Sequence, residues 1–308
     1  MLSIERLKVF AAVVEEGSFT AAAARLNATQ SGVSQQVAKL EQALGTKLLE
    51  RGLRGATTTP AGQQLYARSN TLLRDISIVE QGISDLGRGA TGSVTLGVMP
   101  ALTRSILGPV LRRYLTANPN VTIRVIERAS SELIDEVVGD GLDAALVPAF
   151  DAPPSLRCRL IGPTREVLVD RNGAGAPHMV PVDVRALSPV RMILQSKGNI
   201  RRRKVLAYLR SRGVEFEALM DFDSMFGTLE YIQNSDFKTI LPAVMVAPEI
   251  ESGALCVRPL AGEGLTLEVI AVEPARRVPS PILSDLFELL TSSLIAFEKA
   301  FQERCRPT

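Results

Sequence analysis

Apolar residues near the start of the chain recur with the spacing of an α-helix. Steps of three, one and three residues separate four apolar side chains, Leu7, Phe10, Ala11 and Val14. This spacing puts them on one face of an amphipathic helix. Gly17 ends that helix, and Ser18 is a good N-cap for a second helix, predicted over residues 20–26.

A third helix is predicted over residues 30–43, with Thr29 as its N-cap after a tight turn at 27–28. Its apolar face carries Val33, Val37, Leu40 and Leu44. Its other face is polar and carries Gln30, Ser31, Ser34, Gln35 and Lys39. Two short helices joined by such a turn are typical of a helix-turn-helix, whose second helix presents polar side chains to the major groove. The same residues also suit an ordinary solvated face, and the pattern alone leaves both interpretations open.

A winged extension is predicted over residues 46–59, where Arg51 and Arg54 alternate with glycines. Such a loop either lies on phosphates or in the minor groove, or is a solvated turn. Residues 1–62 hold seven basic against five acidic residues, so the net charge of +2 of the whole chain resides there. This surplus permits binding to nucleic acid without proving it.

Residues 63–87 read as a long helix that begins after Thr59-Pro60, an N-cap followed by proline at the first helical position. Its apolar side chains occupy heptad positions, with Ser69 in the one polar place: Leu65, Leu72, Ile76, Val79, Ile83 and Leu86. A heptad seam needs a partner helix, which we expect to be the same helix of a second subunit. The alternative is packing on the chain's own core.

Strands and helices alternate after a glycine-rich hinge at 88–92, which favours an α/β fold with mostly parallel sheets. Strands are predicted at 94–98, 121–126, 143–147, 166–169, 191–194 and 238–241. Helices are predicted at 103–117, 130–138, 201–212, 225–233 and 281–302.

Composition narrows the classes of function. The length of 308 residues suggests about two domains. Three widely separated cysteines indicate a reducing, cytoplasmic compartment and give no zinc or redox spacing. No membrane span or signal peptide is expected. His178 is the single histidine and is expected in a solvated loop, and no phosphate-binding or nucleophile-elbow motif occurs. We therefore expect neither an enzyme, nor a cofactor, nor a metal site.

Four segments of the first third resemble the LysR-type transcriptional regulators: EGSFTAAAARLN at 16–27, QSGVSQQVAKLE at 30–41, LLER at 48–51 and TTPAG at 58–62. The resemblance implies that the polar residues of the third helix, together with Arg51 and Arg54, bind double-stranded DNA. Gly32 and Leu49 depart from the usual pattern of the family. Gly32 costs roughly 1 kcal/mol of helix propensity relative to alanine.

The resemblance also implies a division of the chain. Residues 1–62 would form an all-α winged helix-turn-helix domain and 63–87 the dimerising linker helix. Residues 93–308 would form a two-lobed effector domain like the periplasmic binding proteins, with lobe I at about 93–162 and 266–302 and lobe II at about 163–265. The expected assembly is a homodimer or homotetramer that meets RNA polymerase if it activates transcription. The alternative is a cytosolic small-molecule binding protein whose N-terminal helices only dimerise.

The cleft of such a domain would hold a small-molecule effector. Helix N-termini face it, so we hypothesise an organic anion. Seven residues are candidates for contact: Pro100, Thr103, Ser130, Gln195, Ser196, Asn199 and Arg201. Ser130 is alternatively a plain N-cap. The basic run at 201–204 is either a solvated face or compensates a bound anion. Residues 235–238 depart from the family's glycines, and the acid and base there would pair with each other or with ligand.

Overall fold

The computed structural model describes residues 2–52, 55–84, 90–173, 177–197 and 199–305, of which 51, 52, 55, 71, 74, 75 and 77–84 are described by their backbone. The chain forms two compact units, Met1–Arg88 and Gly89–Thr308.

The first unit begins with three helices: α1 (Ile4–Glu16), α2 (Phe19–Arg25) and α3 (Gln30–Leu44). Each starts at a hydroxyl N-cap, because the side chains of Ser3, Ser18 and Thr29 accept backbone N–H bonds from the first turns. Gly17 and Gly45 end α1 and α3 in the left-handed conformation, with φ of 60° and 66°. These boundaries match the predicted caps closely.

The core of this unit consists of the predicted apolar faces. Phe10, Val33 and Leu40 are at most 1% exposed. Leu44 was predicted on the buried face of α3, but it is 41% exposed. It is the last residue of that helix, directly before the C-cap Gly45.

A hairpin and a long helix complete the unit. Strands β1 (Leu49–Gly52) and β2 (Gly55–Thr58) pair antiparallel, and α4 runs over Pro60–Ser84. Thr59 caps α4, since its hydroxyl oxygen accepts the N–H of Gly62 at 3.0 Å and its hydroxyl donates to the carbonyl of Lys47 at 2.8 Å. A Cβ on Gly62 would lie 2.0 Å from the carbonyl oxygen of Leu48, so only glycine permits this close approach.

The second unit is built on a seven-stranded sheet of order β10-β6-β11-β5-β3-β4, with β9 also paired to β6. Its strands are β3 (Gly92–Val98), β4 (Val121–Glu127), β5 (Ala144–Pro148), β6 (Leu156–Arg171), β9 (Thr239–Pro242), β10 (Leu255–Pro259) and β11 (Thr266–Pro274). A separate parallel pair consists of β7 (Val190–Leu194) and β8 (Phe216–Asp221).

The expectation of mostly parallel sheets is wrong for the large sheet. β3 runs parallel to β4 and β5, but β6 and β11 run antiparallel to each other and to the other strands that pair with them. β6 pairs with β11 up to Arg165 and with β9 and β10 from Glu166 onward. The chain passes from lobe I to lobe II along β6 and returns along β11. Because these two strands run in opposite directions, the sheet contains both parallel and antiparallel pairs.

Helices cover both lobes. They are α5 (Pro100–Leu102), α6 (Gly108–Ala117), α7 (Ser130–Val138), α8 (Ile200–Ser211), α9 (Met225–Gln233), α10 (Ala247–Ser252) and α11 (Pro281–Arg304). A π-helical turn, Thr103–Leu107, joins α5 to α6, and 3₁₀ turns occupy Val184–Leu187 and Ala243–Val246. The predicted helix at 103–117 therefore begins three residues earlier, at Pro100. The predicted hinge at 88–92 lies partly outside the described residues, and Gly92 already belongs to β3.

The π-helical turn makes a side-chain connection between the lobes. Arg104 in this turn donates to both carboxylate oxygens of Glu249 in α10, at 2.7 and 2.5 Å. Ser105 donates to the carbonyl of Val244. Lobe I is thus tied to lobe II at a point separate from the strand crossing.

Candidate nucleic-acid interface and ligand cleft

The polar face of α3 is open to solvent. Gln30, Ser31, Gln35 and Lys39 are exposed and Ser34 is half-buried, while Val33 and Val37 on the opposite face are buried. The structure therefore brings all five predicted residues onto one side of a helix whose N-terminus is capped by Thr29. Its amide, hydroxyl and ammonium groups are of the kinds that hydrogen-bond base edges and phosphates.

Two further residues of α3 position its surroundings. Gln36 accepts a hydrogen bond from Nε of Arg6 at 3.3 Å, which links α3 to α1. Glu41 accepts the backbone N–H groups of Leu48 and Leu49 at 2.9 and 3.3 Å, and Nζ of Lys47 at 2.8 Å. Burial raises the pKa of Glu41, but these hydrogen bonds outweigh burial and hold it below its ordinary value. Glu41 thus fastens the hairpin to α3, a role that no local sequence pattern predicts.

The wing arginines stay predictions. Arg51 lies in β1, where only its backbone is described, and Arg54 lies outside the described residues. The two strands of the hairpin are present and pair with each other, so the predicted wing is seen without these two side chains.

The seam of α4 divides between two environments. Leu65 packs against the core of its own unit beside Tyr66 and Leu73, as the alternative interpretation predicted. Leu72 is 48% exposed and Ile76 is half-buried outside that core. Val79 and Ile83 are described by backbone alone, and Leu86 lies outside the described residues. Leu72 and Ile76 are therefore the described seam positions left for a partner helix.

A cavity of about 480 Å³ opens between the lobes, at the carboxyl ends of the parallel strands. Six of the seven predicted contacts line it: Pro100, Ser130, Gln195, Ser196, Asn199 and Arg201. The seventh, Thr103, is not among the lining residues. Its hydroxyl contacts the carboxylate of Glu127 at 2.6 Å, and Glu127 does line the cavity. The volume of the cavity falls in the range of small-molecule binding sites.

The loop before α8 is held in place by its own polar groups. Asn199 caps α8, because its carbonyl oxygen accepts the N–H groups of Arg201 and Arg202 at 2.9 and 3.3 Å. The N–H of Ser196 donates to Asp223 at 2.8 Å. Gln195 accepts from Nη1 of Arg201 at 2.8 Å. Asn199 thus orders the loop through its side chain.

The solvated-face interpretation of the basic run is wrong for its first two members. Arg201 and Arg202 are 6% and 5% exposed, so they are not part of a solvated face. Arg201 makes two hydrogen bonds to the carboxylate of Glu166, at 2.6 and 2.9 Å, and Arg202 pairs with Asp221. Buried guanidinium groups require such partners, and protein carboxylates supply them here. Arg203 and Lys204 are exposed, as a solvated face would be.

Two other expectations need correction. Ser130 is the first residue of α7, not its N-cap; Ala129 holds that position, and no side chain caps the helix. Asp236 and Lys238 do not pair with each other, and neither is among the residues that line the cavity. Asp236 pairs with Arg191 at 2.9 Å, and Lys238 pairs with Asp170 at 3.0 Å.

The cavity also contains residues that the sequence did not single out. Asp223 and Met225 enter from the end of β8 and the start of α9, and Glu127, Arg128 and Glu132 enter beside α7. Strand β8 was not predicted, so Asp223 had no element to place it. An acidic residue followed by Ser224, which caps α9, was the available signal.

The histidine and the cysteines lie apart from this cavity. His178 is not solvated as predicted: Nε2 lies 3.2 Å from the carbonyl of Ile250, and Nδ1 accepts the N–H of Val257. Cys256 is buried, and burial with the nearby Asp170 carboxylate raises its pKa to about 11. Within the described part of the chain no group of histidine, cysteine and acidic residues has the arrangement of a metal site, and no helix is long and apolar enough to cross a membrane.

Comparison with known families covers nearly the whole chain. Residues 4–63 match the bacterial regulatory helix-turn-helix proteins of the lysR family, and residues 87–294 match the LysR substrate binding domain. A probable hydrogen peroxide-inducible genes activator of Streptomyces viridosporus is 30% identical over 213 residues, 68% of each chain. The nitrogen assimilation regulatory protein nac of Escherichia coli (strain K12) is 27% identical over 298 residues, 94% of this chain and 95% of that protein.

Solved structures show the same fold. A mutant of OxyR from Corynebacterium glutamicum superposes with a TM-score of 0.71 at 18% identity, covering 97% of this chain and 95% of that one. Full-length CbnR complexed with its target DNA gives a TM-score of 0.57 at 21% identity, covering 95% and 100%. With both family matches in their expected order, the chain belongs to the LysR family and is a DNA-binding transcriptional regulator with an effector-binding domain.

Proposed function

We propose that the polar face of α3 reads base edges in the major groove. The observation that carries this proposal is the exposed row on a capped helix with a buried opposite face. Its members are Gln30, Ser31, Ser34, Gln35 and Lys39. Arg51 and Arg54 would add phosphate or minor-groove contacts from the hairpin. Each base-edge contact contributes about 1–3 kcal/mol of discrimination.

We further propose a homodimer joined through α4, with a homotetramer formed through the effector domains. Two recognition helices related by a two-fold axis require a DNA site with two-fold symmetry. The exposure of Leu72 supports this assembly, since an isolated helix gains by covering such a side chain.

The effector is proposed to bind in the cavity between the lobes and to act without being chemically changed. It is a small organic molecule with at least one anionic group. The uncapped N-terminus of α7, where Ser130 and Ser131 line the cavity, supports this choice. Contact with RNA polymerase follows if the protein activates transcription.

The test of DNA reading is a mobility-shift and footprinting experiment with the intergenic DNA beside the protein's own gene. Salt concentration is varied and competitor DNA is in excess. We expect a protected, roughly two-fold site that survives competitor, with affinity that falls steeply with salt. Binding lost equally to competitor moves the search to a genome-wide selection of bound fragments. If this selection also yields no specific site, the proposal that α3 reads base edges fails.

A matched set of variants tests the residues. Replacing Gln30, Ser34, Gln35, Arg51 and Arg54 together should abolish specific binding and leave dimerisation and ligand binding intact. Gln64→Ala, an exposed glutamine on α4, is the control and should bind as the wild type does. Specific binding by the five-residue variant would show that another surface reads the DNA.

A further inference from the structure

The cationic side chains that line the cavity are already paired with protein acids. Arg201 is bound by Glu166, with its Nε 2.6 Å from Oε1. Arg128 pairs with Glu136 at 3.1 Å and lies 3.9 Å from Glu132. Neither guanidinium is left as the counter-ion that an added organic anion would need.

Two carboxylates of the cavity lack such a partner. Asp223 from lobe II accepts the N–H of Ser196, and Glu127 from lobe I accepts the hydroxyl of Thr103. Across the described residues, no cationic nitrogen lies within 4.0 Å of either carboxylate. A ligand that brings a cation would complete these two acids from opposite sides of the cavity.

The start of α7, on the same side of the cavity as Glu127, also offers hydrogen-bond donors. Ala129 leaves the first N–H groups of this nine-residue helix without a side-chain cap. The hydroxyls of Ser130 and Ser131 lie beside them on the cavity lining. Backbone N–H groups and hydroxyls at a helix start favour a carboxylate. The cavity thus offers hydrogen-bond donors at the start of α7 and two carboxylates without a cationic partner, Glu127 and Asp223.

We propose that the effector is a small zwitterion, with a protonated amine and a carboxylate on one molecule, as in an amino acid. The amine contacts Asp223 and Glu127, and the carboxylate contacts the start of α7. This inference rests on the proposed function, because it takes the cavity as the effector site. A plain dicarboxylate is disfavoured, since its second charge would face acids that have no counter-ion.

Isothermal titration of the full-length protein tests the ligand class. The panel contains the standard L-amino acids that have a primary α-amine and an uncharged side chain, each with its 2-oxo acid and its decarboxylated amine, such as L-leucine, 4-methyl-2-oxopentanoate and isoamylamine. We expect at least one amino acid to bind, and both of its partners to bind at least about tenfold more weakly, because each loses one charge-assisted contact. A 2-oxo acid that binds as tightly as its amino acid overturns the proposal, and so does a panel without any binder.

Variants then locate the amine. Asp223→Asn and Glu127→Gln keep the hydrogen-bond acceptors for Ser196 and Thr103 but remove the charges. Each should weaken the amino acid about tenfold or more and leave the 2-oxo acid unchanged or tighter. Asp135→Asn, an exposed acid of α7 that does not line the cavity, is the control. Unchanged affinity in both cavity variants refutes the assignment.

The fate of the regulator proposal is read separately. A mobility shift with operator DNA and no added ligand reports DNA binding alone. Specific DNA binding with a failed panel rejects the zwitterion and keeps the proposed DNA reading by α3, whereas the absence of specific DNA binding rejects that reading.

Discussion

The buried ion pair between Arg201 and Glu166 predicts how much burial, as distinct from hydrogen-bond geometry, determines the contribution of an ion pair to stability. The two side chains are 8% and 1% exposed, and the carboxylate receives two hydrogen bonds at 2.6 and 2.9 Å. Glu166→Ala leaves the guanidinium buried with Gln195 and a backbone carbonyl as partners. Breaking a buried pair in this way costs about 3–5 kcal/mol. For a domain of this size the expected fall in Tm is about 6–20 °C.

The matched control is Arg185→Ala, which removes an exposed ion pair but keeps the Asp183 carboxylate as the cap of the 3₁₀ turn. Arg185 and Asp183 approach to 2.5 Å with equally good geometry, but their side chains are 68% and 40% exposed. Solvent screens such a pair, so its loss should leave Tm within measurement error.

The assay is thermal unfolding of the full-length protein, monitored by differential scanning calorimetry. A third variant, Arg201→Met with Glu166→Leu, removes both charges together and should recover most of the loss. If Glu166→Ala lowers Tm no more than Arg185→Ala does, burial is not what makes this pair important, and the reasoning fails.

Four further predictions concern other parts of the molecule. Gly62→Ala should destabilise the first unit by about 1–3 kcal/mol in urea denaturation, because its Cβ would meet the carbonyl of Leu48. The pKa of Glu41 in the folded protein lies below its ordinary value of 4.5. Its contribution to stability is therefore complete above pH 4.5 and is lost as the pH falls through the lower, folded-state pKa. Glu41→Gln removes this contribution and should make the fall of stability with decreasing pH less steep. Cys256, with a pKa of about 11, should react with iodoacetamide or peroxide at pH 8 far more slowly than free cysteine, as mass spectrometry would record, since the thiolate is the reactive form. Leu72→Glu should weaken dimerisation in analytical ultracentrifugation; an unchanged dimer would show that α4 does not form the seam.

The helical module was the most predictable part of the molecule. Its caps, glycine stops and apolar spacing are local signals, and they agree with one another over each helix. The polar face of α3 follows from the same periodicity, because residues on the side opposite Val33 and Val37 must face outward.

The cavity was predictable only in part. The loop at 195–201 and the start of α7 were predicted because helix N-termini face the cleft of such a domain. The burial of Arg201 was not, since its partner Glu166 lies 35 positions earlier and no spacing rule joins them. Asp223 was missed for a related reason: strand β8 alternates half-buried and exposed residues, which gives too weak an apolar pattern to mark a strand.

Strand β6 has a mechanical consequence for the cleft. Its sixteen residues run without a break through both lobes, and β11 returns beside it with a register shift at Val269/Ile270. The lobes are therefore two ends of one hydrogen-bonded ribbon, with Arg104 and Glu249 as a second attachment. Any change in the angle between the lobes must therefore bend or twist these two strands and move the Arg104–Glu249 ion pair, because all of them connect the lobes.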